Sequence, residues 1–370
     1  MSFPKLYSQR ISALALILLL GMFGCGGSSN TSANNTGSNT GGTATPGSSN
    51  TGGGSGGTAG GTGSSGGGTS NTPGSLVASA SRTAGVVALI NTNTNQVAST
   101  ITVGLNLTGI AISPNGKLVY VSDQNDNTVR VIDTASSKVV ATITGIRDPG
   151  PIAITADGRF AYVTNTIHLD AAVSVVDTNT NQVVTTVKNV GMSPGSITIP
   201  AGLSRAYVMD AEVGTLSVID LGSNSVVKTI DVPYGYAIAS APNGKFVYVS
   251  TPYDKSVKVV DTNTNSVVAS VSLPEPQGLA VSPDGATVWV ANRAQGAISV
   301  ISTASNTVVK SFNSLGSQPW DVAFSADGKY AYVTNSGSAN VSVIRTADYV
   351  STSPLPVGAD PEWIASGRSK

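Results

Sequence analysis

The sequence is poor in the residues that build most metal, haem and disulfide sites. Its 370 residues include one cysteine and one histidine. A single cysteine excludes a disulfide framework, a cysteine-cluster metal site and a covalently attached c-type haem. A single histidine excludes copper and zinc sites that are built from several histidines. We therefore expect no resident cofactor.

Charge is also scarce, and neither sign is in excess. Only 11% of the residues are charged, and 20 basic side chains balance 20 acidic ones. Proteins that bind nucleic acids through the phosphate backbone carry a basic excess on the binding domain. The composition therefore argues against a nucleic-acid partner.

The first 25 residues have the pattern of an export signal. Lys5 and Arg10 precede an apolar run over 11–23, which is followed by Gly24 and the only cysteine, Cys25. The run is too short for a membrane-spanning helix and has the length of a secretory signal core. The segment resembles a bacterial lipoprotein signal, although Met22 and Phe23 depart from the usual residues before the cysteine.

This resemblance implies that Cys25 is lipidated and anchors the mature chain to a membrane. Gly26 at the next position is typical of sorting to the outer membrane in a Gram-negative cell. We expect an exported protein of the cell envelope, an outer-membrane lipoprotein facing the periplasm or the surface. The alternative is a cleaved secretory signal in which Cys25 has no role.

A low-complexity segment follows over residues 26–74. It contains Gly, Ser, Thr and Asn with a few Ala and Pro, and it has no charged, aromatic or large aliphatic residue. Such a segment cannot bury enough apolar surface to offset the entropy of ordering. It is predicted to be a disordered tether with a root-mean-square span of about 40 Å.

Residues 75–370 repeat one pattern seven times. An aromatic residue recurs at steps of 41 to 45 residues, and the first unit has Ala78 in its place; the aromatic positions are Tyr120, Tyr162, Tyr207, Tyr248, Trp289 and Tyr332. A period of this length with four short β-branched runs is typical of a propeller blade. We predict an all-β fold, a seven-bladed β-propeller with four-stranded blades.

Turn residues and the two chain ends agree with this prediction. Asn-Gly and Asp-Gly pairs, as at Asn115-Gly116, provide hairpin turns between the first and second strands of a blade. The first unit begins at a second strand, at Leu76, and the C-terminal run 361–367 matches a first strand. The C-terminal strand is therefore predicted to join the N-terminal blade and close the ring, which leaves no sheet edge exposed there.

Two segments are literal copies of a known repeat motif. Tyr162-Val163-Thr164-Asn165 and Tyr332-Val333-Thr334-Asn335 carry the motif that names the YVTN family of β-propeller repeats, and residues 75–367 are similar to it throughout. The resemblance implies an envelope or surface-layer protein of bacteria or archaea. Related propellers include lactonases of the phosphogluconolactonase type.

Function is expected on the face of the ring where loops enter the first strands and join the second strands to the third. The loops there differ between units, whereas the turns on the opposite face are near copies. The candidate binding residues on this face are Arg147, Asp148, Tyr234, Tyr236, Tyr253, Arg293, Trp320, Glu362 and Trp363. The two tryptophans are expected to plug the channel, and one of Tyr234 and Tyr236 to point into its mouth. The alternative is that the charged loop residues are only solvated surface positions.

These patterns favour a binding or scaffold module for a protein, peptide or glycan, without catalysis. The alternative is a hydrolase of lactonase type that uses loop carboxylates, with a divalent cation such as calcium. Its candidate residues are Glu212, Glu275, Glu362, Asp170 and His168, and all three glutamates are expected in the variable loops. A surface-layer or adhesion component is a third possibility.

Overall fold

The structure is a computed structural model that describes residues 76–167, 170–313 and 316–367. These residues form 28 β-strands and one 3₁₀ turn, Ser336–Ser338. No helix in these three ranges is long and apolar enough to cross a membrane. The predicted signal 1–25, the tether 26–74, Cys25 and His168 lie outside the described residues.

The strands form seven four-stranded antiparallel sheets, which confirms the predicted architecture. We number them as blades 1 to 7. Blade 1 contains β1 (Leu76–Ser81), β2 (Val86–Asn91), β3 (Gln96–Thr102) and β28 (Pro361–Ser366). Blade 2 contains β4 (Leu107–Ile112), β5 (Leu118–Asp123), β6 (Thr128–Asp133) and β7 (Lys138–Ile143). Blade 3 contains β8 (Pro149–Ile154), β9 (Phe160–Asn165), β10 (Ala172–Asp177) and β11 (Gln182–Val187).

The remaining blades follow in chain order. Blade 4 contains β12 (Pro194–Thr198), β13 (Arg205–Asp210), β14 (Thr215–Asp220) and β15 (Ser225–Asp231). Blade 5 contains β16 (Ile238–Ser240), β17 (Phe246–Thr251), β18 (Ser256–Asp261) and β19 (Ser266–Ser272). Blade 6 contains β20 (Pro276–Val281), β21 (Thr287–Asn292), β22 (Ala297–Ser302) and β23 (Thr307–Asn313). Blade 7 contains β24 (Pro319–Phe324), β25 (Tyr330–Asn335), β26 (Asn340–Arg345) and β27 (Leu355–Pro356).

One strand of each blade lies at the centre of the ring, and we call these the inner strands: β28, β4, β8, β12, β16, β20 and β24. Each contacts the inner strand of the next blade, and the last contact, between β28 and β4, completes the circle. The loop face is the end of the ring where the inner strands begin and where the second strands meet the third. The turn face is the opposite end.

The C-terminal strand closes the ring as predicted. β28 pairs with β1 in antiparallel register, with Ile364 opposite Ser79 and Ser366 opposite Val77. The strand order in this blade is β28-β1-β2-β3. Both ends of the repeat region therefore contribute to blade 1.

The turns form where the sequence places them. In the Asn-Gly turn that joins β4 to β5, Gly116 has a φ of 70°, a conformation that glycine adopts without steric cost. At the end of β10 the Asp177 carboxylate accepts a hydrogen bond of 2.9 Å from the Asn179 N–H, and Asn181 has a φ of 57°. Equivalent aspartates at Asp133, Asp220 and Asp261 cap the same turn in other blades. These recurrent aspartates therefore have a structural role.

The core lies between the blades. Each buried cluster combines side chains of adjacent blades, as where Tyr162 and Val175 of blade 3 pack with Ile197 and Val208 of blade 4. The second and third strands are covered on both faces, which explains their nearly continuous β-branched and apolar composition.

At three positions the recurrent tyrosine also joins its blade to the next through a hydrogen bond. The Tyr162 hydroxyl donates to Asn224 Oδ1 of blade 4 at 2.8 Å, and the Tyr207 hydroxyl donates to Asn265 Oδ1 of blade 5 at 2.7 Å. The Tyr332 hydroxyl bonds to Asn95 Oδ1 across the closure from blade 7 to blade 1. The asparagines are the left-handed residues of turns between third and fourth strands.

Where the tyrosine is replaced, its partner changes as well. Blade 6 has Trp289, and the partner in blade 7 is Tyr349, whose ring stacks on the indole at a centroid distance of 5.7 Å. Blade 1 has Ala78, and the left-handed turn residue of blade 2 is Ser137. The sequence therefore pairs each aromatic with a matching residue one blade further on.

Replacing Tyr207 with Phe is expected to cost about 1 kcal/mol of unfolding free energy, because it removes one hydrogen bond from a buried interface between blades. The measurement is urea unfolding followed by tryptophan fluorescence. Tyr248→Phe is the matched control: Tyr248 makes no such bond in the described ranges, and its counterpart Asn306 Oδ1 is buried without a partner there. An equal loss in both variants would contradict this role of the hydroxyl.

Candidate functional site

Six of the seven inner strands are irregular at their loop-face ends, and β16 of blade 5 is the exception. In blade 1, Pro361 pairs with Ser81 and Trp363 pairs with Ala80, so that Glu362 is an extra residue with no partner on β1. The same shift occurs in blade 4 at Gly195 and in blade 2 at Thr108. A β-bulge of this kind frees one side chain from the alternation of the strand and re-aims it.

The equivalent position in each blade, two residues before the buried aliphatic residue of the inner strand, lies at the channel mouth, and we call these residues the mouth ring. In order of blades 1 to 7 they are Glu362, Thr108, Gly150, Gly195, Tyr236, Gln277 and Trp320. Blades 5, 6, 7 and 1 contribute long side chains, whereas blades 2, 3 and 4 contribute threonine and two glycines. The long side chains wall one side of the mouth. Gly150 is buried, and a Cβ there would lie 2.6 Å from the Thr164 hydroxyl, so the other side is open only at Gly195, in blade 4.

Two residues further along each inner strand, a second ring is entirely aliphatic. Its members all lie 3–8% exposed, and in order of blades 1 to 7 they are Ile364, Ile110, Ile152, Ile197, Ile238, Leu279 and Val322. We call them the aliphatic ring. Together with Tyr236, Trp320 and Asp321 they line a cavity of about 180 Å³. The channel thus has a polar, aromatic mouth above an apolar constriction.

The walled side of the mouth is built from stacked and edge-on rings. Tyr236 and Trp320 belong to blades 5 and 7, and their rings meet nearly edge to face with centroids 6.5 Å apart. The Arg293 guanidinium lies 4.6 Å from the centre of the Trp320 ring, in a cation–π contact, and donates a hydrogen bond of 3.1 Å to Gln318 Oε1. Trp320 is thus held from both sides.

Glu362 closes the wall on the side of blade 1. Glu362 as a residue is 6% exposed, and its carboxylate accepts a hydrogen bond of 3.4 Å from the Arg82 guanidinium. Burial raises the pKa of Glu362 to about 7, in spite of the opposing charges of Arg82 and Arg293. Glu362 was expected in a loop, but it is a bulged residue of the inner strand, since β28 begins at Pro361.

A second carboxyl group lies deeper in the cavity. Asp321 accepts hydrogen bonds from the backbone N–H groups of Val322, at 2.8 Å, and Ile364, at 3.4 Å. Burial raises the pKa of Asp321 to about 7, in spite of these two bonds. Burial also raises the pKa of Tyr236, and the nearby Glu362 carboxyl acts in the same direction. Near neutral pH, each of these two enclosed carboxyl groups is therefore protonated in part of the molecules and ionised in the rest.

A chain of side-chain hydrogen bonds continues from this wall across blades 1, 2 and 3. Arg82 Nε donates to Asn106 Oδ1 at 2.8 Å, and Asn106 Nδ2 donates to Gln124 Oε1 at 2.8 Å. Gln124 Nε2 then donates to the Thr166 hydroxyl at 3.1 Å. These bonds connect the loops of blades 1, 2 and 3 on the loop face.

Of the other predicted site residues, Trp363 lies in the channel and several lie outside it. Tyr234 and Tyr253 are 48% and 60% exposed and form a tilted pair with centroids 6.0 Å apart. Asp170 forms an exposed ion pair with Lys188 at 2.5 Å and lies 3.7 Å from the Arg147 guanidinium. Trp363 lines the cavity and packs against the core between blades 1 and 2.

Asp148 and Glu275 lie at backbone turns directly before the inner strands β8 and β20. Both precede a proline and have left-handed φ angles, 51° and 44°. Glu212 is an exposed residue of the β13–β14 loop, in blade 4, and Glu275 is exposed in blade 6, whereas Glu362 is buried in blade 1. Within 76–167, 170–313 and 316–367, no group of three His, Cys, Asp or Glu side chains is arranged to hold a metal ion.

Two residues of the site were missed in the sequence. Arg82 directly follows the second strand of blade 1, the same place that Arg293 takes in blade 6, so a comparison between repeats contains the signal. Asp321 is the only charged residue at its position of the inner strands, where the other blades have glycine, proline, serine, alanine or tryptophan. A charged residue inside a predicted inner strand was therefore the signal that could have identified Asp321 as a site residue.

Comparisons with known proteins agree with the architecture. The family model described as YNCE-like beta-propeller matches residues 69–364. No curated protein matches the chain. The solved structure of Kuenenia stuttgartiensis hydrazine synthase is similar at 20% identity, with a TM-score of 0.65, over 75% of this chain and 97% of that one. A functionally unknown protein from Desulfotomaculum acetoxidans DSM 771 is similar at 18% identity, with a TM-score of 0.69, over 80% of this chain and 99% of that one. At these identities the similarity shows the fold alone.

Proposed function

We propose, from the premise that this chain belongs to the YNCE-like β-propeller family, that it is a binding module of the cell envelope, held at a membrane by a lipid on Cys25. Its ligand is a protein, peptide or glycan that contacts the channel mouth. The tether 26–74 gives the propeller reach from the membrane surface, toward the periplasm or the cell exterior.

The observation that supports this proposal is the composition of the mouth ring. Tyr236 and Trp320, together with Arg293, are residue types that dominate the binding energy of interfaces. They are concentrated on one side of one end of the channel, while the turns of the opposite face repeat the same capped geometry in blade after blade. Purely structural requirements act on every blade and would not produce such an asymmetry.

Binding is tested with the full chain in detergent on arrays of peptides and glycans. A ligand of the mouth is expected to lose at least about tenfold in affinity with Trp320→Ala, since a central tryptophan contributes about 2 kcal/mol or more. Tyr330→Ala is the matched control, because Tyr330 lies at the turn-face end of the same blade. Binding that is equal in all three proteins would place the ligand elsewhere.

The anchor and the rival activity are tested separately. A clickable fatty acid is expected to label the wild type and not Cys25→Ser, which should move to the soluble fraction. A wild-type protein found entirely in the soluble fraction would refute the anchor.

The lactonase alternative is tested by lactone hydrolysis. Hydrolysis that disappears on replacing Glu212 and Glu275 with Gln would replace the binding proposal with this alternative.

A further inference from the structure

We propose that the channel mouth binds a carboxylate attached to a six-membered ring, with the carboxylate between Arg293 and Arg82 and the ring in the cavity above the aliphatic ring. Such a group occurs in small aromatic acids and at a peptide C-terminus that ends in phenylalanine. This inference rests on the binding function proposed above and specifies its ligand chemistry.

The first support is the unused hydrogen-bonding capacity of the two arginines. A guanidinium has five N–H donors. In the described ranges Arg293 donates one hydrogen bond, to Gln318, and is paired with no carboxylate. Arg82 donates to Asn106 and, at 3.4 Å, to Glu362. That second distance is longer than a charge-assisted bond usually has, about 2.8 Å, so the pair is loose.

The second support is that contacts connect both guanidinium groups to the same wall of the mouth. Arg82 lies 3.4 Å from the Glu362 carboxylate. Arg293 lies 4.6 Å from the centre of the Trp320 ring, which meets the Tyr236 ring at 6.5 Å. In agreement with these contacts, both arginines lower the pKa values of Glu362 and Tyr236. The Tyr236 hydroxyl lies on the same wall and is kept protonated by burial, so it is available as a further donor. A carboxylate is the acceptor that matches several convergent N–H and O–H donors.

The size of the cavity gives the third support. A cavity of about 150 Å³ with aliphatic walls is known to accept benzene. The cavity below this mouth measures about 180 Å³, and seven branched aliphatic side chains surround it. One six-membered ring therefore fits, and its carboxylate substituent would point back to the mouth.

The open side of the mouth provides the access. Gly195 has no positive φ, and a Cβ added there would meet only the Ser193 carbonyl oxygen, at 3.8 Å. A ligand can therefore approach over blade 4 without displacing Trp320 or Tyr236.

The protonation of Glu362 and Asp321 determines the net charge around the proposed ligand. Glu362 faces Arg82, Arg293 and Asp360, and Asp321 faces the N–H groups of Val322 and Ile364. Below pH 7 both carboxyl groups are mostly neutral and the two arginines dominate; above it, the carboxylates repel an anion. If binding requires protonated Glu362, with a pKa of about 7, the Kd rises about tenfold between pH 6 and pH 8.

The test is calorimetric titration of the full chain in detergent at pH 6. The probes are benzoate, its uncharged analogue benzamide, and the tripeptide Gly-Gly-Phe with a free or amidated C-terminus. Benzoate is expected to bind at least about tenfold more tightly than benzamide, and about tenfold more weakly at pH 8. Arg293→Gln should weaken benzoate at least about tenfold, whereas Arg147→Gln, outside the channel, should not. The two tripeptides distinguish a peptide ligand from a free acid.

A variant that fills the open side separates access from charge. Gly195→Phe is expected to weaken benzoate binding at least about tenfold without loss of thermal stability, since the position has space and no backbone strain. Gly195→Ala is the small control and should bind as the wild type does. Unchanged binding in Gly195→Phe would overturn the proposed route and position.

The outcomes separate this inference from the function on which it rests. Equal binding of benzoate and benzamide, or no binding of any probe, overturns the inference. If a Trp320-dependent ligand is still found on the arrays, the mouth is a binding site for another chemistry. If the arrays also fail, both proposals fall.

Discussion

Raising the pH from 5 to 8 is expected to destabilise the protein by about 2 kcal/mol through Glu362 alone, with a further and smaller loss through Asp321. The double variant Glu362→Gln, Asp321→Asn should lose most of this dependence and be more stable than the wild type at pH 8. The measurement is denaturant unfolding at several pH values, with unfolding free energies compared between the two proteins.

The sign follows from the raised pKa values. The unfolded chain releases the Glu362 proton near pH 4.5, whereas the folded protein keeps it until about pH 7. Between these values the folded state binds more protons, so stability falls as the pH rises. At pH 7 the folded protein has released about half of this proton, and the curve becomes flat about one pH unit higher, where both states are ionised. Asp321 behaves in the same way from 3.8 to about 7, with a reduced effect because its carboxyl faces the cavity.

Other titrating groups are separated by controls. The exposed aspartates with lowered pKa values, such as Asp133 and Asp261, change charge below this window. Histidine is the side chain whose unperturbed pKa lies inside this window, and His168→Gln in both backgrounds removes the contribution of the one histidine in the sequence. Glu212→Gln and Glu275→Gln, at exposed positions, should keep the wild-type slope. A slope that is identical in the wild type and the double variant would show that the enclosed carboxyls are solvated.

The fold was predictable because each blade contains the residues that determine its own local structure. Local structure is determined by turn pairs such as Asn115-Gly116, by capped turns such as the one at Asp177, and by β-branched strands. Because the sequence repeats, the same features recur in successive blades. Even contacts between blades leave a trace in the sequence, since Tyr207 is matched by Asn265 and Trp289 by Tyr349.

The site was only partly predictable, because it depends on what differs between blades. Tyr236 and Trp320 stood out as aromatic residues at strand entrances. Trp320 lies at the bulge of β24 and Tyr236 precedes β16, and the period-two pattern of a strand does not predict that these two side chains meet. The proton affinities of Glu362 and Asp321 depend on enclosure by several blades, which local sequence does not encode.

Truncation after Asp360 is expected to abolish cooperative folding, because β28 completes the ring. The strand forms the only ladder along the inner edge of β1 and contacts both neighbouring inner strands, β4 and β24. Loss of the buried Ile364 side chain costs about 2–5 kcal/mol, and each ladder hydrogen bond adds about 1 kcal/mol. The sum is comparable to the whole stability of a typical domain, about 5–15 kcal/mol.

Two further chains separate the strand from the chain end. Truncation after Gly367 keeps β28 and the bond from the Gly367 N–H to the Leu76 carbonyl, 3.1 Å, and should unfold like the full chain. Moving residues 361–367 in front of Leu76 through a short glycine-rich turn should also fold, because the two strands are antiparallel neighbours in register. Circular dichroism and thermal melting measure all three. If the chain ending at Asp360 melted within a few degrees of the full chain, blade 1 would be stable with three strands, and the closing strand would serve the channel mouth rather than the fold.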